Sequence, residues 1–473
     1  MMILIGRNQY LFTENINIEG YERKIKIGKY NLYLGEGCQY FDSSDGIYVL
    51  GYAIDVLSPK SGLKEMCITL RNAINNKLLG PQATRNWNGR FVVIFVENNN
   101  ITIWNDCCGL KQVFVDVNDC CTFASQARYI AAIKNYSKDP EAYSYLELAK
   151  KKDKEYSFIL DRTYYKEIYR ILPNHYIQNG KIFRANIYKE KGTSKYAAEL
   201  IKGSILGISK LGSLAITLTA GWDSRLVLSG VNNNYKAITV TLKYDWMEEN
   251  NPDIVIATEL AARKKMRHRV INCVKSDVMF YERYMDHSEN GHEYWVQMAQ
   301  AIEDAGLSNS IWVKGSCNEI IRNSFGILYN WQINENVLCK LYSLPEVPFV
   351  KDTIKIWLKT AKEFCKINNI SVLDLFYWEH RMGSWLAECL NEADIVGEMF
   401  TPFNSRVYIE NGLATKSKDR ISPKYKFFNT ILKEAGLVEG IPLNDERYHS
   451  LRAKLKLIIK NYLHLLYGIL LNS

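Results

Sequence analysis

Apolar and polar residues alternate in short runs through the first part of the chain, residues 1–135. Three such runs are GRFVVIFV (89–96), ITIW (101–104) and KQVFVDV (111–117). Asn, Asp and Gly separate them, and these residues favour turns between strands. The pattern therefore predicts a β-rich N-terminal region.

The pattern changes from about residue 195, where longer amphipathic segments separate continuous apolar runs. The strand candidates are SLAITLTA (213–220), KAITVTLKY (236–244), HRVINCV (268–274) and SIWVKG (310–315). Asn251 followed by Pro252 is a typical helix start. Strands alternating with helices predict βαβ units and a mostly parallel sheet. Residues 350–473 carry helical periodicity, including VLDLFYWEHRMGSWLAECL (372–390).

Composition indicates an ordinary globular protein. The 473 residues suffice for two or three domains, with 47% hydrophobic and 23% charged residues. The net charge of +9 is scattered and favours an anionic ligand over nucleic acid. Eleven irregularly spaced cysteines match no zinc pattern and predict free thiols. No apolar run reaches about 18 residues, and the N-terminus lacks a signal-peptide pattern, so we expect a cytoplasmic protein.

The most informative stretch is Thr219-Ala220-Gly221-Trp222-Asp223-Ser224-Arg225, where an apolar run ends and a helical pattern begins. Ligands collect at the carboxyl ends of parallel strands, and the N-terminus of a helix attracts anions. Gly221 allows a phosphate to approach the backbone, and Ser224 can donate a hydrogen bond to it. Asp223 would repel phosphate unless Mg²⁺ lies between them. The stretch therefore predicts a nucleotide-phosphate loop.

The same stretch has two alternative interpretations. Asp and Ser are also favoured at ordinary helix starts without any ligand. The common P-loop is excluded. Where that motif has a Lys after its glycines, this chain has Ser213, and the glycine-containing segment precedes the apolar strand instead of following it.

Residues 219–224 resemble the S-G-G-x-D-S pyrophosphate loop of the asparagine synthetase family, which belongs to the N-type ATP pyrophosphatases. Thr219 and Ala220 depart from that pattern but keep their backbone N–H groups. Further segments resemble landmarks of the same family in the same order: Asn88-Gly89-Arg90-Phe91, Asp106-Cys107-Cys108-Gly109, Ala124-Ser125-Gln126, residues 165–175, Asn251-Pro252-Asp253 and Thr401–Arg406.

The resemblance implies an α/β protein of two domains. Residues 1–190 would form a glutaminase-like (Ntn-type) αββα sandwich, and residues 191–473 a doubly wound parallel-sheet ATP-pyrophosphatase domain with a helical C-terminal part. Glutamine-dependent members carry Cys after the initiator Met, and its thiolate attacks glutamine. Position 2 is Met2 and the first cysteine is Cys38, so we expect no glutaminase activity.

The resemblance also implies the site residues, with ATP and Mg²⁺ as cofactors. ATP would contact Leu218, Thr219, Ala220, Gly221, Trp222, Asp223, Ser224, Thr241, Gly315 and Ser316. Asp223 and Glu319 would bind Mg²⁺, although Glu319 is also a typical first-turn residue of a helix. Asn318 replaces the family's metal-binding Asp and is a weaker Mg²⁺ ligand. Lys416 and Lys418 are candidates to stabilise an oxyanion or the adenylate, or are exposed loop charges.

The expected function is asparagine synthase-like amide formation through an acyl-adenylate. The partners would be a small-molecule or peptide carboxylate and an amine or ammonia. A catalytically decayed nucleotide-binding scaffold is the alternative, and tRNA modification would need a basic face that the sequence lacks. Residues 451–471 alternate basic and apolar residues, so they could pack on the domain or contact a membrane surface.

Overall fold

The computed structural model describes residues 5–14, 16, 18, 23–152, 156–189, 192–289, 291–322, 325, 328–421 and 425–438. Met2 and the helical segment expected at 451–471 lie outside the described residues. No helix in the described ranges is long and apolar enough to cross a membrane.

The N-terminal part of the chain is built mainly from short antiparallel strands. Its strands are β1 (Tyr10–Glu14), β2 (Lys24–Ile27), β3 (Tyr30–Leu34), β4 (Tyr40–Asp42), β5 (Ile47–Asp55), β6 (Trp87–Glu97), β7 (Asn100–Asn105), β8 (Phe114–Asp116), β9 (Phe123–Ala124), β10 (Ile168–Arg170), β11 (His175–Gln178) and β12 (Lys181–Arg184). Its helices are α1 (Leu63–Asn75), α2 (Ala127–Lys134) and α3 (Pro140–Lys152). The β-rich region that the sequence predicts is therefore observed.

These strands form two antiparallel sheets that pack face to face. The orders are β10-β8-β9-β1-β3-β2 and β12-β11-β7-β6-β5-β4. Alternate residues of β6 point to opposite faces, so Val92 and Ile94 lie between the sheets whereas Phe91 and Val93 pack against α1. Helix α2 covers β8, β9 and β10 on the other side.

The layers are thus helix, sheet, sheet and helix. The structure shows this architecture, and its relation to glutaminase domains stays a prediction. Cys38 is buried between the sheets, and burial raises the pKa of its thiol, so it does not resemble an exposed nucleophile.

The C-terminal part contains a parallel sheet and most of the helices. Its strands are β13 (Leu214–Thr217), β14 (Ala237–Tyr244), β15 (His268–Cys273), β16 (Ile311–Val313) and β17 (Met399–Phe400). Its helices are α4 (Ser194–Ile208), α5 (Trp222–Ser229), α6 (Pro252–Arg263), α7 (Val278–His287), α8 (Glu293–Asp304), α9 (Glu335–Leu341), α10 (Pro348–Asn368), α11 (Val372–Phe376), α12 (Ala387–Ala393), α13 (Arg406–Ala414), α14 (Ser417–Arg420) and α15 (Lys426–Glu434).

The order of this sheet is β15-β14-β13-β16-β17, and every pairing is parallel. This confirms the parallel sheet expected from the alternation of strands and helices. The chain leaves β13 toward β14 and β15 and then returns to β16 on the other side of β13. The strand order therefore reverses between β13 and β16, where open α/β sheets bind their ligands.

Two local details differ from the sequence prediction. Strand β13 ends at Thr217 instead of residue 220, because the backbone N–H of Ala220 donates to the Asp253 side chain and not to a neighbouring strand. The helix predicted over 372–390 contains a π-helical segment, Tyr377–Leu386, between α11 and α12. Gly383 in that segment packs against Pro173, where a Cβ atom would lie 2.2 Å from Pro173 Cδ.

Buried polar contacts join the two parts of the chain. Arg90 Nη2 donates to Asp394 Oδ2 at 2.9 Å. Asn404 Nδ2 donates to Asp106 Oδ1 at 2.9 Å, and Asn404 Oδ1 accepts from the Cys108 backbone N–H at the same distance. Several of the landmarks that carry the family resemblance thus hold the sandwich against the parallel sheet. The division at residues 190 and 191 falls outside the described residues and stays a prediction.

Candidate functional site

Two loops meet where the strand order reverses. One follows β13 and covers residues 218–221, and the other follows β16 and covers residues 314–317. Gly315 touches the start of α5 so closely that a Cβ atom there would lie 2.9 Å from Asp223 Cβ and 3.0 Å from Ser224 N. The structure therefore brings together Gly221, Asp223, Ser224 and Gly315, which the sequence assigned to one site.

The loop after β13 is held by side chains of its own. Thr219 Oγ1 lies 3.1 Å from Ser224 Oγ and accepts a hydrogen bond from Gly221 N at 3.3 Å. Asp253 Oδ1, on the first turn of α6, accepts from Ala220 N at 2.9 Å. Thr219, where the resembling family has Ser, thus retains a hydroxyl that orders the loop.

Helix α5 begins directly after this loop. Gly221 is its N-cap residue in extended conformation, and no side chain caps the helix. The first N–H groups of an uncapped helix have no intrahelical partners, and the positive end of the helix dipole lies beside them. Such a helix start is suited to binding a phosphate.

Arg225 does not point to this phosphate site. Its side chain is fully buried, and its Nη1 donates to the Leu437 carbonyl at 2.9 Å. Its Nε donates to the Ala220 carbonyl at 3.3 Å, which ties the loop to the C-terminal part of the described chain. We infer that Arg225 supports the loop structurally.

A polar cluster surrounds the Asp223 carboxylate. Its Oδ1 accepts a hydrogen bond of 2.7 Å from Asn318 Nδ2, and its Oδ2 forms a 2.7 Å ion pair with Arg322 Nη1. The Asn318 amide is buried and accepts from the Tyr408 hydroxyl at 2.7 Å. The amide orientation is therefore fixed, because its oxygen faces Tyr408 and its NH₂ group faces Asp223.

Glu319 is the second carboxylate of the cluster. Its Oε2 atom is buried and has no hydrogen-bond partner within the described residues. Burial and the nearby charge of Asp223 raise the pKa of Glu319 to about 7, although Arg322 acts in the opposite direction. The residue lies in a 3₁₀ turn, Asn318–Ile321, instead of the first turn of an α-helix.

The donors of this cluster fit Mg²⁺ bound together with a nucleotide. Magnesium in such sites takes one or two protein carboxylates and completes its shell with phosphate oxygens and water. Asp223 and Glu319 would provide those carboxylates, and the buried Oε2 atom of Glu319, which has no hydrogen-bond partner within the described residues, fits such a role. The described residues contain no group of three or more His, Cys, Asp or Glu that could hold a metal by themselves. A metal at this site would therefore need further ligands, such as phosphate oxygens or water.

Comparisons with known proteins give only distant similarities. No family model matches the chain, and no curated protein matches it. An NH₃-dependent NAD synthetase from Campylobacter jejuni shares 16% identity, over 37% of this chain and 82% of that chain, with a TM-score of 0.20. An NMN synthetase from Francisella tularensis shares 14% identity, over 33% and 72%, with a TM-score of 0.19.

A glutamine-dependent NAD⁺ synthetase from Acinetobacter baumannii, solved with ADP, shares 13% identity over 46% of this chain and 51% of that chain, with a TM-score of 0.20. Similarities at this level carry no argument about activity. The chemistry of the site must follow from its own residues.

The remaining residues expected at the site occupy different surroundings. Thr241 Oγ1 donates to the Leu218 carbonyl at 2.8 Å, so these two residues fix the start of the loop. The Ser316 carbonyl accepts from Thr401 Oγ1 at 2.6 Å. The Trp222 ring is buried and packs edge-on against Tyr425, with ring centroids 5.3 Å apart. These contacts give structural roles, and the proposed contacts with ATP stay predictions.

Lys416 and Lys418 are both exposed, beside and within the short helix α14. Their assignment to oxyanion or adenylate stabilisation stays a prediction. Arg322 is the cation that the structure places at the carboxylates.

Sequence reasoning missed Arg322, Tyr408 and Lys314. Arg322 follows Glu319 by three residues, a spacing that could have indicated a shared helical face. Lys314 follows β16 and lies at the carboxyl edge of the sheet, where its Nζ is 4.0 Å from the Trp295 ring centroid. Burial lowers the pKa of Lys314 to about 8.

Proposed function

We propose that this chain is an ATP-dependent ligase that forms carbon–nitrogen bonds through an acyl-adenylate. The observation that supports this proposal most directly is the meeting of an uncapped helix start with the pair Asp223 and Glu319 at the reversal of strand order. The first feature suits a phosphate chain, and the second suits the cation that accompanies it.

The reaction would have two steps. A carboxylate oxygen of the first substrate attacks the α-phosphorus of ATP, so a P–O bond forms to the substrate while the bond between the α-phosphorus and the bridging oxygen breaks. Pyrophosphate leaves. An amine or ammonia then attacks the acyl carbon, loses a proton to a base, and displaces AMP. The adenylate is needed because a free carboxylate has no adequate leaving group.

The residues of the chain would contribute binding and electrostatic stabilisation. The first-turn N–H groups of α5 would hold the departing pyrophosphate, and Ser224 and Thr219 would keep the loop in place. Asp223 and Glu319 would hold Mg²⁺, which neutralises charge on the phosphates when bound. Arg322 would remain beside both carboxylates and limit their mutual repulsion.

Asn318 supports a second candidate, a nucleotide-binding scaffold without catalysis. It stands where the resembling family has a metal-binding Asp, and its amide hydrogen-bonds to Asp223 instead of offering an anionic ligand. A scaffold of this kind would bind a nucleotide but would not cleave it.

Calorimetric titration with a non-hydrolysable ATP analogue tests both candidates. We expect binding that depends on Mg²⁺ in the wild type, and its loss in Asp223→Ala. Asp352→Ala is a matched control, because Asp352 is an exposed carboxylate on α10. Absence of binding to the wild type would contradict both candidates.

Pyrophosphate release then separates the ligase from the scaffold. Carboxylates are screened with ATP, Mg²⁺ and an amine, and pyrophosphate and AMP are measured together. Equal amounts of both products support the ligase. Nucleotide binding with no pyrophosphate release from any carboxylate supports the scaffold.

A further inference from the structure

A cavity of about 820 Å³ opens beside the carboxyl edge of the parallel sheet. Tyr244, the last residue of β14, lines it together with Tyr294 of α8, Tyr281 of α7 and Tyr156 of the N-terminal part. β14 pairs with β13, so the cavity lies on the same edge of the sheet as the loop at 218–221. Its volume lies within the range of small-molecule sites, roughly 300–1,000 Å³.

The walls of this cavity are aromatic and partly open to solvent. Tyr244 stacks on Tyr294 with ring centroids 4.6 Å apart and an angle of 19° between the rings. Trp246 is parallel to Tyr244 at 6.4 Å, and 68% of Trp246 is exposed. Large aromatic side chains left exposed together indicate an interaction site.

The charge of the lining is negative. Asp245, Glu289 and Glu293 contribute three carboxylates, and none has a salt-bridge partner within the described part of the chain. Among the described lining residues Lys150 is the cation, and its Nζ lies 3.3 Å from Glu147 Oε1 and 5.5 Å from the centroid of the Tyr156 ring. Lys150 therefore pairs with a carboxylate outside the lining, while its ammonium lies over an aromatic wall of the cavity.

Glu289 is the carboxylate most affected by its surroundings. Its Oε2 accepts a hydrogen bond from Arg128 N at 3.3 Å, whereas its Oε1 is buried without a hydrogen-bond partner within the described residues. Burial raises the pKa of Glu289, and the nearby charges of Arg128 and Lys138 together with the Tyr165 hydroxyl do not fully offset this effect. An ammonium group in the cavity would favour the ionised form of Glu289 through its charge.

We propose that this cavity binds an organic ammonium compound, which is the amine substrate of the ligase. Aromatic rings attract ammonium groups through their faces, and the three carboxylates add to that attraction. The same carboxylates would repel the phosphates of a nucleotide, so the cavity complements the phosphate loop instead of duplicating it. The role as amine substrate rests on the proposed ligase function, whereas the ammonium-binding property does not.

Calorimetry with matched small molecules tests the proposal on the full chain. Tyramine and n-hexylamine carry the ammonium group on an aromatic and an aliphatic body. 4-Ethylphenol lacks the charge of tyramine, and 3-(4-hydroxyphenyl)propionate reverses it. We expect at least one of the two amines to bind, and tyramine to bind more tightly than its two analogues. Failure of both amines to bind, or equal affinity for tyramine and 4-ethylphenol, would overturn the proposal.

Variants locate the binding to this cavity. Glu289→Gln and Trp246→Ala should each weaken amine binding by roughly ten-fold. Two exposed residues outside the lining provide controls, Glu282→Gln for the first and Trp331→Ala for the second. Amine affinity unchanged in both cavity variants would overturn the assignment.

The ATP-analogue titration keeps the two proposals separate. Both cavity variants should bind the analogue as the wild type does. Amine binding without nucleotide binding would retain the cavity and refute the ligase. Nucleotide binding without amine binding would refute the cavity and leave the ligase intact.

Discussion

The Asn318 side-chain amide donates a 2.7 Å hydrogen bond to the Asp223 carboxylate. A carboxylate at position 318 would place a third negative charge beside Asp223 and Glu319, where the described structure has Arg322 as the charge partner of Asp223. Asn318 therefore stabilises the cluster in the absence of a divalent cation. Asn318, where the resembling family has Asp, is therefore compatible with a folded site, whether that site is catalytic or only binds a nucleotide.

The first prediction concerns Asn318→Asp. The variant loses a donor to Asp223 and adds a charge, so its free energy of unfolding in the presence of a chelator should fall by about 1–3 kcal/mol. Mg²⁺ should restore more of that stability in the variant than it adds to the wild type. Urea unfolding with and without Mg²⁺ measures both effects.

Tyr408→Phe is the control for this prediction. It removes the hydroxyl that donates to Asn318 and leaves the buried amide oxygen without that donor, at a cost of about 1–3 kcal/mol, and should not change the response to Mg²⁺. An Asn318→Asp variant as stable as the wild type in chelator would contradict the role assigned to Asn318.

The second prediction concerns the pH dependence of stability through Glu319. Because its folded-state pKa is raised from 4.5 to about 7, the stability it contributes is fully present below pH 4.5. That stability is lost as the pH rises through about 7. Urea unfolding across this window should show the loss in the wild type and not in Glu319→Gln.

Two comparisons make this pH experiment specific. Glu363→Gln, at an exposed position on α10, should keep the wild-type pH profile. Mg²⁺ should shift the pH at which the wild type loses stability, because a bound cation favours the ionised carboxyl group. If Glu319→Gln loses as much stability as the wild type when the pH rises, a group other than Glu319 is responsible for that loss.

The sequence predicts the strands and the loop of this site better than its ion pairs. Alternation along 89–96 and the apolar runs after residue 213 depend on local periodicity, which is visible in one segment at a time. The contact of Asp223 with Arg322 joins residues 99 positions apart, and Tyr408 reaches Asn318 across 90 positions. Such contacts are created when separate loops meet, so no single segment contains them. The apolar run to residue 220 predicted burial correctly but not the end of β13.

The third prediction tests the close approach of the two loops. Gly315→Ala would place a Cβ atom 2.9 Å from Asp223 Cβ and backbone carbon, so the start of α5 must shift. We expect a loss of about 1–3 kcal/mol in the free energy of unfolding, and weaker binding of the ATP analogue. Gly62→Ala is the control for nucleotide affinity, because a Cβ atom there meets nothing within 4 Å and any loss of stability would come from the N-cap of α1. Unchanged nucleotide affinity in Gly315→Ala would show that the phosphate site does not depend on this contact.

The last prediction concerns Lys314, whose partly buried ammonium lies 3.3 Å from Met298 Sδ and over the Trp295 ring. Its pKa is lowered from 10.5 to about 8, because the charged form is unfavourable in the folded state. The folded state therefore loses stability as the pH falls from 10.5 through 8 and Lys314 is protonated. Lys314→Met keeps an apolar stem and removes the cost of burying the charge, so the variant should be more stable than the wild type at pH 7. We expect a gain of only about 1 kcal/mol, because the ammonium of the wild type is partly solvated. The difference should vanish above about pH 10.5 in urea unfolding.

Lys359→Met, at an exposed position on α10, should show no such pH dependence. A Lys314→Met variant less stable than the wild type at pH 7 would mean that the interaction with Trp295 outweighs the cost of burying the charge.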